Sequence, residues 1–253
     1  MRLIFIRHAE PDYEHDSLTE KGWREAALLS ERTKNWKVDE FYCSPLGRAR
    51  DTASLTLQKC GRRATTCDWL QEFDAPVIDP ETGKWRLPWD LLPGYWTKLP
   101  ELQDVDAFTD SELMRSGRVK EEYARVCDGI DGILRAHGYV REGKLYRTCG
   151  YGGKEAAAVR DYGGANEETL VFFCHMGVTL FLLSHLLNIS PVNLLHGICL
   201  TPSSVTVLSA EERKEGEAYF RCQMMGDTSH LYAAGETPSH MGYFADILEE
   251  HNR

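Results

Sequence analysis

The chain has no C-x-x-C pair, no long hydrophobic run and no excess of positive charge, and each absence removes a class of function. Its eight cysteines, Cys43, Cys60, Cys67, Cys127, Cys149, Cys174, Cys199 and Cys222, are scattered. Neither a disulfide framework nor paired zinc-ligand spacing can be read from them, so they are expected to be reduced and mostly structural. No segment approaches the roughly 20 apolar residues that a membrane helix needs. The run Leu3-Ile4-Phe5-Ile6 ahead of Arg7 is too short for a signal-peptide core. These readings place the protein in the cytoplasm with no membrane partner. With 39 acidic against 29 basic side chains, the formal net charge is −10. That balance opposes nucleic acid and anionic lipid, which are held by clustered Lys and Arg. A small anionic substrate requires only local positive charge.

What is present is an ordinary globular composition over 253 residues, 42% hydrophobic and 27% charged, enough for one core with an insertion. Leu3–Ile6 and Glu40–Cys43 have the short apolar character of buried strands. Thr19 opens a helical pattern toward Asn35, and Ser44-Pro45 supplies an N-cap and first-turn proline for a second helix toward Gln58. This β-α-β-α beginning argues for a mostly parallel sheet in a three-layer α/β/α sandwich. Later, Leu170–Cys174 reads as a central strand covered on both faces, feeding a helix from Gly177 to about Leu187 whose Val178, Phe181, Leu182 and Leu186 share one face. Ser204–Leu208 and Ala218–Met224 read as further strands, the second at an edge.

The middle of the chain differs. From Asp79 to Ser116 it carries Pro80, Pro88, Pro93 and Pro100 with Trp85, Trp89, Tyr95 and Trp96, a composition that disfavours regular structure. A helix from about Gly117 to Ala136 follows, then glycine loops at 150–153 and 163–164. The expectation is one domain over 1–253 with 79–166 as a cap-like insertion.

Chemistry gathers at three strand-to-helix junctions, the carboxyl-end positions where open α/β sheets bind ligands. The first delivers Arg7-His8-Ala9-Glu10. The second is Ser44 through Ala53, with Arg48 in the first helical turn, where the helix dipole favours an anion. The third is Cys174-His175-Met176-Gly177. Together they describe a phosphoryl pocket with a nucleophile inside it.

These segments resemble the histidine phosphatase superfamily, the group related to phosphoglycerate mutase. Its signature is R-H-G or R-H-A after the first strand, S-x-L-x-R-A-x-x-T-A at a helix start, and a later apolar strand ending in His. Leu18-Thr19-Glu20-Lys21-Gly22 also matches the family's L-T-x-x-G, and Leu70-Gln71-Glu72 its L-x-E proton-donor segment. The resemblance covers residues 1–75 and 168–210. It implies that His8 attacks phosphorus, that Arg7, Arg48 and His175 hold the phosphoryl oxygens, and that Glu72 donates and later recovers a proton, with no metal and no cofactor. Glu10, Trp85 and Trp89 are candidate substrate contacts. The family's mutases and fructose-bisphosphatases carry a phosphate-binding Asn shortly after the first motif, whereas here the loop is Glu10-Pro11-Asp12-Tyr13-Glu14-His15-Asp16. An acidic loop repels a second phosphate, which favours hydrolysis of a monophosphorylated small molecule over mutase activity.

Other readings of the same residues are weaker. His8, Glu10, Asp12, His15 and Asp16 could hold a metal, but Arg7 and Arg48 oppose it. In Gly150–Lys154, Thr148 and Glu155 stand where a nucleotide loop requires Gly and Ser or Thr. A regulatory protein that has lost turnover conflicts with the presence of all five catalytic candidates. Cys43 and Arg48 are separated by four residues, one short of the spacing in cysteine-dependent phosphatases. Cys43→Ser is therefore expected to keep phosphatase activity, and loss of turnover with a folded protein would make the thiol the nucleophile.

Overall fold

In a computed structural model, which describes residues 1–148 and 166–241, Leu3–Ile6 form the buried centre of strand β1 (Arg2–Arg7). A two-residue ladder of β2 (Pro11–Asp12) and β3 (Ser17–Leu18) closes the loop that follows, and leads into α1 (Glu20–Thr33). The Thr19 hydroxyl caps α1 by accepting from the Gly22 amide at 3.0 Å. Then come β4 (Glu40–Cys43), α2 (Gly47–Cys60) and the short β5 (Thr65–Thr66). The proline-rich stretch contains a β6–β7 hairpin (Val77–Ile78, Trp85–Arg86) and two single-turn helices, α3 (Pro93–Trp96) and α4 (Glu112–Arg115). Helix α5 (Val119–Ala136), strands β8 (Tyr139–Glu142) and β9 (Leu145–Thr148), and β10 (Thr169–Cys174) follow. The chain continues through α6 (Met176–Leu187), α7 (Pro191–Gly197), β11 (Val205–Lys214), β12 (Glu217–Asp227) and α8 (Ser229–Ala234).

The main sheet runs β5-β4-β10-β1-β11-β12-β9-β8. Strands β5, β4, β10 and β1 are parallel, whereas β11, β12, β9 and β8 continue the sheet antiparallel. Period-two alternation sorts the central side chains onto two faces. Ile4, Ile6, Phe41, Val171 and Phe173 pack with Leu29 of α1 and Ala49 and Ala53 of α2. Leu3, Phe5, Tyr42, Leu170 and Phe172 pack on the other side with Val126, Ile130 and Leu134 of α5 and Val178 and Phe181 of α6. This is the three-layer α/β/α arrangement. Across its centre, the Phe172 ring stacks between Phe5 and Tyr42, at centroid distances of 5.1 and 5.0 Å.

Four details depart from the sequence reading. Helix α2 starts at Gly47 rather than at Pro45; the Ser44 hydroxyl accepts from the Leu46 amide at 3.3 Å ahead of the helix and also meets His175 Nε2 at 2.8 Å. Asp16 then satisfies the amide of the first helical residue. Helix α6 is buried all round rather than on one face, since it lies between the sheet, α5 and α7. Strand β12 is interior, because β9 pairs along its outer side through Arg147 and Tyr146. That pairing also places 119–148, about a third of the expected insertion, within the core layers; 79–116 is built of loops and short elements, whose Leu91, Leu102, Phe108 and Met114 still join the core. The glycine loops at 150–153 and 163–164 and the Lys154 motif lie outside the described residues, as does Cys149. No helix among the described residues is long and apolar enough to cross a membrane.

Gly117, between α4 and α5, is where 79–116 is fastened to the segment that carries Glu72. A Cβ there would lie 2.1 Å from the Pro76 carbonyl oxygen. Gly117→Ala is expected to destabilise the fold by about 1–3 kcal/mol, visible as a lower denaturant midpoint; an unchanged midpoint would show that this junction yields freely.

Candidate active site

The register of the parallel strands assembles the site. Arg7 lies opposite Cys174, and Phe173 opposite Cys43. The next residues along each strand, His8, His175 and Ser44, therefore leave the sheet side by side. The His8 amide donates to the Cys174 carbonyl at 2.9 Å. The His8 and His175 ring centroids lie 5.0 Å apart.

His8 is buried, and its Nδ1 sits 2.8 Å from the Ala9 carbonyl oxygen. A carbonyl can only accept, so Nδ1 carries the proton and Nε2 holds the free lone pair. Burial, and then the positive charges of Arg7 and Arg48, push the His8 pKa down to about 3. The ring is thus neutral at physiological pH. Behind it, the Ala9 amide donates to Thr52 Oγ1 at 3.0 Å and the Glu10 amide to the buried Glu25 carboxylate at 2.9 Å.

Around His8 lie buried cationic and imidazole groups with unspent donors. Arg7 is buried and gives one Nη to the Leu200 carbonyl. Arg48 gives Nη1 to Asp16 at 2.6 Å, with the Tyr13 ring 5.4 Å from its guanidinium carbon. His175 Nε2 is 2.8 Å from Ser44 Oγ; with that hydroxyl donating, the ring's hydrogen is on Nδ1. Burial, then His8, Arg48 and Arg7, hold the His175 pKa well below its ordinary value. Five buried side-chain polar atoms among the described residues have no hydrogen-bond partner, and three are Arg7 Nε, Arg48 Nε and His175 Nδ1. Buried polar atoms are rarely left unpaired, so three orphan donors around the neutral His8 ring describe a place where an oxyanion could bind.

Glu72 comes to the same place by a different route. Its Oε1 accepts from the Phe73 and Val178 amides, each at 2.9 Å, and its Oε2 from the Gly177 amide at 3.2 Å. These include first-turn amides of α6, which have no intrahelical partner. Trp89 closes on the same spot, since a Cβ on Gly177 would lie 2.8 Å from both Glu72 Oε1 and the Trp89 ring.

Of the candidates read from sequence, Arg7, His8, Arg48, His175, Glu72 and Trp89 meet here, and two do not. Trp85 is 62% exposed on β7. The Glu10 carboxylate is engaged away from the pocket by the hydroxyls of Thr19 at 2.8 Å and Ser239 at 2.6 Å, because its backbone is drawn against α1. The acidic loop does not gather as a cation site: His15 pairs with Asp12, and Asp16 with Arg48. Burial raises the Cys43 thiol to about 12, which keeps it protonated. Ser44, Tyr13 and Asp16 belong to the site without having been singled out. Only the strand-end position of Ser44 hinted at this, because the other two depend on how the loop folds back.

Residues 3–86, a third of the chain, match the family described as the histidine phosphatase superfamily, branch 1. Over that segment the match agrees with the resemblance read from the motifs at Arg7-His8-Ala9 and Ser44–Ala53. Curated relatives include the probable phosphoglycerate mutase GpmB of Yersinia pestis and that of Yersinia pseudotuberculosis, each 29% identical over 103 residues, 34% of this chain and 48% of theirs. The match thus spans about half the length of those relatives. Among solved structures, a mycobacterial glucosyl-3-phosphoglycerate phosphatase superposes with a TM-score of 0.57 at 19% identity, over 89% of this chain and 98% of that one. A phosphoserine phosphatase variant from Entamoeba histolytica gives 0.54 at 18%, over 91% and 98%. At such identities the likeness establishes the fold alone.

The buried histidines make stability depend on pH. His8 is held near 3 and His230 near 4 by burial; an unfolded imidazole titrates near 6.5. The unfolded chain therefore binds more protons as pH drops below about 6.5, and the stability present above that value is lost toward pH 3. Glu25, raised to about 7 by burial, acts oppositely, losing stability as pH rises from about 4.5 to 7. The test compares His8→Asn with wild type across pH 7 to 4.5: the wild type should lose more stability, by on the order of 1–2 kcal/mol. Parallel profiles would mean that His8 is not buried neutral.

Proposed function

We propose that this protein is a phosphomonoesterase that hydrolyses a small phosphorylated metabolite through a phosphohistidine on His8. The observation that carries the reading is the neutral, fixed imidazole with its Nε2 lone pair unspent, set among three buried donors that lack partners. Nε2 attacks phosphorus, and the bond from phosphorus to the ester oxygen breaks. Arg7, Arg48 and His175 stabilise the charge developing on the equatorial oxygens. Arginine suits this work because its planar fork pairs with phosphate oxygens and stays charged. Glu72 gives its proton to the departing alcohol. Oε1 is fixed by two amides, which leaves Oε2, with its single longer contact, as the oxygen that exchanges the proton. Water then attacks the phosphohistidine, Glu72 takes its proton, the N–P bond breaks and phosphate leaves. The cycle as proposed draws its charge stabilisation from these side chains and requires no metal. The free thiols of Cys43, Cys60, Cys67, Cys127, Cys174 and Cys222 support a reducing, cytoplasmic setting.

Phosphoglycerate-type mutase activity is the second reading, on the names of the curated relatives. A mutase holds a substrate with a second anionic group, and the loop after His8 offers Asp12, Glu14 and Asp16 instead of a cation.

Glu72 separates good leaving groups from poor ones. An alkyl alcohol leaves as a strongly basic oxyanion and needs the proton, whereas p-nitrophenol leaves almost unaided. Glu72→Gln should slow alkyl phosphates by roughly 100-fold or more and the first step with p-nitrophenyl phosphate far less. Dephosphorylation still needs the base, so the variant should release a burst of p-nitrophenol and accumulate acid-labile phosphate on His8. Equal losses for both esters with no burst would remove Glu72 from the role and bring Asp74 forward.

A further inference from the structure

On the reading that His8 carries the phosphoryl group, we propose that the substrate's alcohol is uncharged or cationic and presents an aromatic or apolar face, and that Asp16 excludes alcohols bearing a carboxylate or a second phosphate. Arg48 is divided between two roles. Its Nη1 belongs to Asp16 at 2.6 Å, while its Nε is buried and unpartnered beside His8. The second Asp16 oxygen takes the Gly47 amide at 2.6 Å. The outer arm of Arg48 and the N-terminal amide of α2 are the donors that another anionic group would seek at this junction, and a carboxylate of the chain already holds them. That carboxylate is built in. Asp16 has a left-handed backbone (φ 46), and a Cβ on Gly47 would lie 1.9 Å from the Asp16 carbonyl oxygen, so the loop fits only against a glycine.

The remaining charges agree. Beyond the cluster's own Arg7, Arg48 and His175, the charged groups nearest in effect are acidic, Glu72 and Glu25 acting on Arg7. The same loop adds Asp12 and Glu14, and His15 is spent on Asp12. Part of the surroundings of the reacting atoms is apolar. The Met176 sulfur lies 3.8 Å from an Arg7 Nη, Tyr13 is 61% exposed over Arg48, and the Trp89 ring abuts Gly177 beside Glu72. The group that protonates the ester oxygen thus shares a wall with an indole, and the body of the departing alcohol has to lie against it.

The experiment measures kcat/KM for phenyl phosphate, 4-carboxyphenyl phosphate and the phosphate ester of tyramine, and for 2-phenylethyl phosphate against ethyl phosphate. The para carboxylate makes phenol no worse a leaving group, so chemistry alone gives it no handicap. Wild type is expected to prefer phenyl phosphate to its carboxylated analogue by about tenfold, with the gap shrinking at high salt, and to accept the tyramine ester at least as well. Asp16→Asn should narrow the carboxylate gap to about threefold or less. Trp89→Ala should erase most of an about tenfold preference for the phenylethyl ester, and Trp85→Ala should leave every ratio as in wild type. Equal rates on the phenyl and carboxyphenyl esters by wild type, or a salt-independent gap, would overturn the proposal even if Asp16→Asn failed to fold. If none of these esters, nor p-nitrophenyl phosphate, were hydrolysed and no acid-labile phosphate formed on His8, the hydrolase reading itself would fall and the substrate class with it.

Discussion

The in-register parallel pairing of β1 with β10, and of β10 with β4, is the constraint on which the site depends. Three strands that end within one residue of each other release His8, His175 and Ser44 together. The apolar runs that make those strands hold them there. Phe172 stacked between Phe5 and Tyr42 ties the register at the centre of the sheet, and slipping one strand by a single residue would turn every core side chain to the wrong face. The burial that makes this register stable also dehydrates the imidazoles and guanidinium groups at the strand ends. Packing and reactivity therefore have one origin: the environment that keeps His8 neutral is the end of the hydrophobic core.

Much of this is legible in the residues themselves. Runs such as Leu3–Ile6 and Leu170–Cys174 announce buried strands by composition, and Thr19 caps α1 because a hydroxyl at that position has an amide within reach. Once strands and helices alternate, the strand-end residues are natural site candidates, and Arg7, His8, Arg48 and His175 stand out for that reason. What the sequence hides is long-range. The Ser44 hydroxyl serves both the Leu46 amide at the start of its own helix and a histidine 131 residues away, and only the folded geometry reveals the second. Strand β12 reads as an edge because nothing in its own residues reveals that 145–148 pairs beside it. Trp85 and Trp89 are four positions apart with similar neighbours, yet one faces solvent and the other meets Glu72 at Gly177.

The acidic loop after His8 shows how charge that looks unhelpful along the chain becomes useful in space. Its partnered carboxylates each hold something local in place. Asp12 turns the loop by accepting from the Glu14 and His15 amides, and Asp16 anchors Arg48. The Glu10 carboxylate pins the loop's start to Thr19 and, through Ser239, to the segment that follows α8. Arg48 would otherwise be a long side chain with considerable rotamer freedom to lose when an oxyanion arrives. Holding one arm in advance reduces the ordering left for binding.

Gly177 has a further consequence. Its missing side chain is the gap into which both the Glu72 carboxylate and the Trp89 ring fit, from opposite chain segments. Any larger residue displaces the acid and the wall in one step, so the two cannot drift independently. Change around Trp89 is open to the chain while position 177 stays a glycine, and the smallest residue in the site is then the one least free to vary.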